Sequence, residues 1–288
     1  FRPQVLTTYD ANHHVLHSLL AKLAGKTALR VPALLGTALY LWSAWRVARQ
    51  RLGETPAMAA VVVLMAVHAG VIDYLSLARG YSLGLGFLFY ALAESDEGRY
   101  ERASFGLGLA VASNPVFAVP AAAWTVALVV TKRLWRRLDE VVGPGLVAAL
   151  VVLAVPLSRA TGGQFYFGAG TVGESWRSLM EVPGLTAILV YGVPLALAWG
   201  AWKERGVLSL TLGLSLAGLV GLHLALGFPW PLARTGVYLI PLMVLLAAKG
   251  GRWSWVPIGA VAAVSLATLE AGLFRPWRFD ADNRAGAA

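Results

Sequence analysis

The chain has 288 residues, of which 58% are hydrophobic and 14% charged; its net charge is +9 and its mean hydropathy +0.65. A soluble domain carries about 25% charge, and a fold of this size could not hide so much apolar surface, so a disordered chain, a collagen, a coiled coil and an ordinary cytosolic enzyme are excluded. What remains is a polytopic membrane protein, for which eleven Trp and nine Tyr suit the interfaces.

The absence of Cys excludes disulfides, thiol catalysis and Cys-ligated zinc. No basic run interleaved with aromatics resembles an RNA-binding motif, so no nucleic acid partner is expected despite the charge. The chain opens at Phe1 in a polar stretch and stops just after the mixed charges Arg278, Asp280, Asp282 and Arg284. It reads as an internal fragment, a single transmembrane domain over 1–288 cut at both ends.

The first segment holds Tyr9, Asp10, Ala11, Asn12, His13 and His14, then His17. A helix is expected over 12–25, with Asp10 as a candidate N-cap. His13 and His17 are four apart, a spacing that can bind zinc, but no Glu lies between them and no third ligand is evident.

Uncharged runs follow at 31–45, 55–72, 80–93, 103–131, 141–158, 182–202, 206–233, 235–248 and 253–269. A spanning helix needs roughly 20 residues, and most runs fit once flanking residues are added. The run 80–93 is extended back to Tyr74, which puts Arg79 near one end. The run 103–131 is too long for one helix and contains Asn114-Pro115. The residue before Pro avoids helical geometry, so two short helices are expected, 103–114 and 115–131. The fold class is therefore all-α, a transmembrane helical bundle of about ten membrane helices. His68 and His223 lie within apolar helices and read as packed or interhelical hydrogen-bonding residues. Gly84-Leu85-Gly86 and Gly106-Leu107-Gly108 lack the preceding strand of a dinucleotide loop, and close helix packing explains them.

Orientation follows from the loops. Thirteen of the 24 basic residues crowd into five short loops, at 46–51, 99–102, 132–137, 203–205 and 249–252. The denser side is expected to be cytoplasmic, and the cluster Lys132–Arg137 reads as this signal, with anionic lipid contact as a further role. The outer side then receives 1–30, 73–79, 113–115, 159–181, 227–234 and 273–288. These segments hold Asp73, Arg79-Gly80-Tyr81, Gln164, Glu174 and Trp230-Pro231 with Arg234. Ionisable residues at helix ends on one side of a membrane point to a polar cavity there.

The pattern D-x-N-x-H at Asp10–His14, the helix start Leu29–Pro32 and Ala78-Arg79-Gly80-Tyr81-Ser82 together resemble the GT-C superfamily. The nearest groups look like the protein O-mannosyltransferases, the lipid A aminoarabinose transferases and the rhizobial lipopolysaccharide glycosyltransferases. The resemblance covers most of the chain. It implies a GT-C-like fold whose first membrane helix lies before Phe1, and a multi-pass protein of a bacterial inner membrane. It further implies a glycosyltransferase that moves a sugar from a polyprenyl-phosphate donor to a hydroxyl on a lipid, glycan or protein acceptor. In this reading Asp10, the only acidic residue in 1–30, is the catalytic base. Arg79, Arg234 and His14 hold the donor phosphate, because a guanidinium offers a planar fork of permanent charge. Asn12, Asp73, Tyr81, Gln164 and Glu174 contact substrate. No metal site is assigned and no cofactor is certain, a divalent cation being left open. Arg79 and Arg234 are expected to meet although far apart in sequence.

Other readings stay open. Each arginine could anchor the headgroup interface, Asp73 could serve only as an ion-pair partner of Arg79, and Glu174 and Gln164 could be ordinary loop residues. A lipid flippase or other transporter would also use broken helices and membrane charge. An O-antigen-ligase-like or polymerase-like enzyme would use outer-face Arg and His with a diphosphate donor.

Overall fold

The computed structural model describes residues 14–25, 28–75, 77, 79–159, 168–182 and 184–269, with the side chains of residues 252 and 253 outside the description. These residues form an all-α bundle of thirteen helices. In chain order they are α1 (Val15–Ala24), α2 (Val31–Leu52), α3 (Pro56–Val67), α4 (Ala69–Leu75), α5 (Tyr81–Asp96), α6 (Tyr100–Ser113) and α7 (Ala118–Lys132). Then come α8 (Leu138–Leu157), α9 (Val172–Leu179), α10 (Thr186–Glu204), α11 (Val207–Leu226), α12 (Leu239–Ala248) and α13 (Arg252–Ala267).

Among the described residues, three stretches are long and apolar enough to cross a membrane: Pro115–Lys132, Trp135–Leu157 and Val207–Leu226. Pro56–Val67 and Ala69–Leu75 make a fourth if the bent pair is one span. This corrects the expectation of about ten. An α-helix rises 1.5 Å per residue, so the ten residues of α12 cover about 15 Å, half of a hydrocarbon core of about 30 Å. Helices α5, α6 and α13 have 16, 14 and 16 residues and also fall short. The apolar run 55–72 is not straight; it bends by 63° at His68. Tyr74 belongs to α4, which ends at Leu75, and α5 begins only at Tyr81, so the extension of the run 80–93 back to Tyr74 does not hold. The other two boundaries expected near Asn114 do hold. Asn114 is extended, as a residue before Pro should be, and separates α6 from a short 3-10 turn leading into α7.

The apolar faces of the long helices explain the composition. Helices α8 and α11 bury little of themselves against the protein, and Val151 and Leu224 are about 80% exposed. Leaving one such side chain in water forfeits roughly 1.5–3 kcal/mol of burial, so these faces suit lipid.

Interhelical contacts define two ends, called upper where α5 starts and lower where it stops. Helices α2 and α5 run parallel. Gly36 lies against the backbone of Ser82 and Leu83 near the top, Tyr40 meets Phe89 edge-on, and Arg46 pairs with Glu94 near the bottom. Helices α6 and α8 are parallel too. A methyl group on Gly108 would strike the backbone of Gly145, whose N–H donates to Ser104 Oγ at 2.9 Å, while Ala112 meets Leu153 higher up. Small residues are what let helix backbones approach this closely. That is the packing role read for the glycine pairs, and Gly86 plays it against the carbonyl of Gly36.

The lower end is an ion network. Glu94, 3% exposed, accepts from Arg46 at 2.8 Å and from Arg99 at 2.5 Å; Glu97 pairs with both arginines, and Asp96 takes both donors of Arg51 at 2.8 Å. Lys249 donates to the Arg51 carbonyl and Trp199 to that of Gly250, which ties the later helices to the same end. Burial opposes ionisation of Glu204 at the end of α10. The Ser209 side chain and the backbone N–H groups of Ser209, Gly206 and Leu208 outweigh it and hold the carboxyl below its ordinary range.

Candidate functional site

The upper end gathers a different set of groups. His14 occupies the N-cap position of α1, which therefore starts later than the 12–25 expected, and Asp10 is not its cap residue. The His14 ring lies 5.1 Å from that of Tyr81, and Tyr81 lies 5.1 Å from Tyr74 at the end of α4. All three are buried. The 63° bend at His68 sets the course of α4; there the His68 imidazole accepts the N–H of Gly70 at 3.1 Å. Gly80 makes the assembly possible. A Cβ at this position would strike the carbonyl of Ser113 and come within 2.9 Å of the His14 side chain, so residue 80 must be Gly for 79–81 to sit against both.

Charge converges on this aromatic row. Arg79 and Arg234 both lie within electrostatic reach of Tyr81 and of Tyr74, and the side chains of Arg79 and Asn114 face the Tyr81 hydroxyl. Asp73 lies in reach of Tyr74. Among the described residues, two guanidiniums and one carboxylate thus act on this pair of phenols. Arg79 is exposed and Arg234 half-buried, whereas Asn114 is 2% exposed.

Arg234 is positioned by a clasp between two loops. Ala169 and Trp230 exchange backbone hydrogen bonds, the Ser175 hydroxyl donates to the Pro231 carbonyl, and Gly236 packs on Leu179. Thr235 Oγ1 accepts from Leu232 N–H at 2.9 Å and closes the turn that carries Arg234. Trp230 stacks on His223 with ring centres 4.4 Å apart, and His223 also bonds the Phe228 carbonyl, so this histidine has the packing role read from sequence.

Beneath the clasp lies an apolar cavity of about 210 Å³ between α3, α10, α12 and α13. Met180, Ile188 and Ile240 form its upper part, Ala247 and Ser254 its lower, and His68 is a polar group on its wall. Ile240 also contacts the position of Gly70, so the cavity reaches the helix that carries Asp73 and Tyr74.

Of the residues expected from sequence, the structure brings together His14, Asp73, Arg79, Tyr81 and Arg234. Glu174 is elsewhere engaged. Its carboxylate accepts the N–H groups of Gly170 and Thr171, and with Thr171 it forms the capping box of α9. Asp10, Asn12 and Gln164 lie outside the described residues, as does His13. Tyr74 and Asn114 are members that the sequence reading passed over as site residues. Asn114 was visible only as a helix break, although a polar residue before Pro between two apolar helices was the available signal. Among the described residues no three His, Asp or Glu side chains gather as a metal site. No protein-family model, curated protein or solved structure matches the chain.

Proposed function

We propose that the chain belongs to a multi-pass membrane glycosyltransferase that moves a sugar from a polyprenyl-phosphate donor to a hydroxyl acceptor, with the upper end facing outward. The observation that carries this reading is the convergence of Arg79 and Arg234 on Tyr81. An exposed interfacial arginine needs no partner from a distant segment, whereas a phosphate held by two planar forks does. The basic loops at 99–102, 132–137 and 203–205 lie at the lower end, which fits a cytoplasmic face there. The apolar cavity under the clasp offers room for part of a lipid chain.

In the proposed reaction the acceptor oxygen attacks the anomeric carbon, the bond from that carbon to the phosphate oxygen breaks, and the phosphate leaves on its lipid. The acceptor proton passes to a carboxylate, for which Asp10 is the candidate. Arg79 and Arg234 stabilise the charge that develops on the departing phosphate, and fixed donors do so without reorganising. The bend at His68 favours one competing reading, a transporter, because broken helices serve transport as well.

Radiolabelled sugar on a polyprenyl monophosphate, offered to the full-length protein in lipid nanodiscs, tests the proposal. Sugar release from the monophosphate and not from the diphosphate is the expected result. Release from the diphosphate alone would move the protein to the ligase-like class. Uptake of substrate into vesicles without cleavage would make it a transporter.

A further inference from the structure

Asn114 is fixed at one end of its side chain and open at the other. Its Oδ1 accepts the N–H of Val116 at 3.1 Å, capping the turn that enters α7. That bond also settles which atom of the amide is oxygen. The Nδ2 group therefore points away from the cap. It is buried and faces the Tyr81 hydroxyl, but it makes no close hydrogen bond with that group or with another described residue. A buried donor left without an acceptor is unfavourable, and most such groups in folded proteins find a partner.

The surroundings of this donor are those of the site. The Asn114 side chain faces Tyr81, which Arg79 also faces and Arg234 approaches. The neighbouring Ser113 carbonyl abuts Gly80, and Gly80 abuts His14. Backbone contacts therefore set Asn114 beside Arg79, the chain neighbour of Gly80, independently of any charge argument.

We propose that the Asn114 amide is a ligand-binding donor that takes a phosphate oxygen of the bound lipid phosphate, alongside the guanidiniums of Arg79 and Arg234. The proposal rests on the phosphate-binding part of the reading above. It assigns the residue two separable tasks, an acceptor that ends α6 and starts α7, and a donor that reads the ligand.

Two substitutions separate the tasks. Asn114→Asp keeps an oxygen for the Val116 N–H, since Asp is as good a cap as Asn, but replaces the donor with a negative acceptor. Asn114→Ser keeps a capping oxygen and removes the amide without adding charge. The probes are farnesyl phosphate, farnesol and inorganic phosphate, added to the full-length protein in detergent and followed by Trp fluorescence. Unliganded thermal stability is measured in parallel. Farnesyl phosphate is expected to bind the unchanged protein more tightly than farnesol, and to bind both variants at least 10-fold more weakly, with Asn114→Asp melting close to the unchanged protein. If inorganic phosphate binds and is weakened alike, the same donor is assigned with soluble phosphate as its source. If both variants bind farnesyl phosphate normally while Arg79→Gln does not, Asn114 is a cap alone and the inference fails while the phosphate site stands. If the unchanged protein binds farnesyl phosphate no better than farnesol or inorganic phosphate, the phosphate reading and the inference fall together.

Discussion

The two ends of the bundle use arginine in opposite ways. At the lower end Arg46, Arg51 and Arg99 each face a carboxylate of the segment Glu94–Glu97, and the geometry is two-pronged at Asp96 and Glu94. At the upper end Arg79 faces a phenol that also lies within electrostatic reach of Arg234, in the company of a buried amide and an imidazole. Charges matched within the protein close an end and hold it. Two cations within reach of one phenol favour the approach of an anion, the more so where water is excluded. The lower end therefore bears on stability, and in the proposed reading the upper end bears on binding.

The largest effect should come from breaking the matched end. Glu94→Gln removes the buried carboxylate between Arg46 and Arg99, and Arg46 is only 12% exposed. Breaking a buried pair from one side costs about 3–5 kcal/mol, less here to the extent that Arg99, 41% exposed, is hydrated. Denaturant unfolding in detergent should show the loss, while the folded fraction keeps its affinity for farnesyl phosphate. Equal damage to both measurements would dissolve the division between the ends.

The converse change belongs to the upper end. Arg79→Lys and Arg234→Lys keep the charge and lose the fork. Each should weaken use of the lipid-phosphate donor by about 10- to 150-fold, the equivalent of roughly 1.5–3 kcal/mol for a charge-assisted contact. The double variant should fall short of the product, because groups acting on one ligand couple. Unfolding should hardly move. Donor kinetics unchanged in both single variants would make the arginines interface anchors.

The smallest effect is a pH dependence confined to the lower end. The Glu204 carboxyl is held below its ordinary range in the folded protein, so the unfolded chain takes up its proton first as pH falls. Its contribution is complete above the ordinary carboxylate range and is lost as pH drops through the folded value. Glu204→Gln should flatten that part of the stability-against-pH curve and leave the neutral-to-alkaline part parallel to the unchanged protein. An unaltered acid limb would remove Glu204 from the account.

Helix identity and the break at Asn114 were legible because both are local. Apolar content and a residue before Pro state themselves in the sequence. The glycine pairs were legible as packing sites, though not which helix each would meet. The number of crossings was overstated because uncharged length is not helical length. No proline marks the bend at His68, and the ten residues of α12 come from an uncharged run of fourteen. At the site, Arg79, Arg234, Asp73, Tyr81 and His14 announced themselves as polar groups beside apolar helices. Asn114 and Tyr74 did not, since one read as punctuation and the other as the start of a helix. Glu174 was legible as a carboxylate of the outer loop but not as the capping-box partner of Thr171, because that loop was not assigned a helix.

The parallel course of α2 and α5 bears on how the molecule is made. Their packing is the most extensive between any two described helices, yet neighbours in the chain that run parallel cannot close as a hairpin. The segment 53–80 must be synthesised and returned before α5 can arrive, and the same holds for α6 and α8 across α7. Until then α2 waits with Gly36 uncovered and Arg46 without the carboxylate it will later meet. Assembly is therefore bound to the order of translation. A ribosome stalled short of Glu94 would leave α2 without its most extensive packing partner.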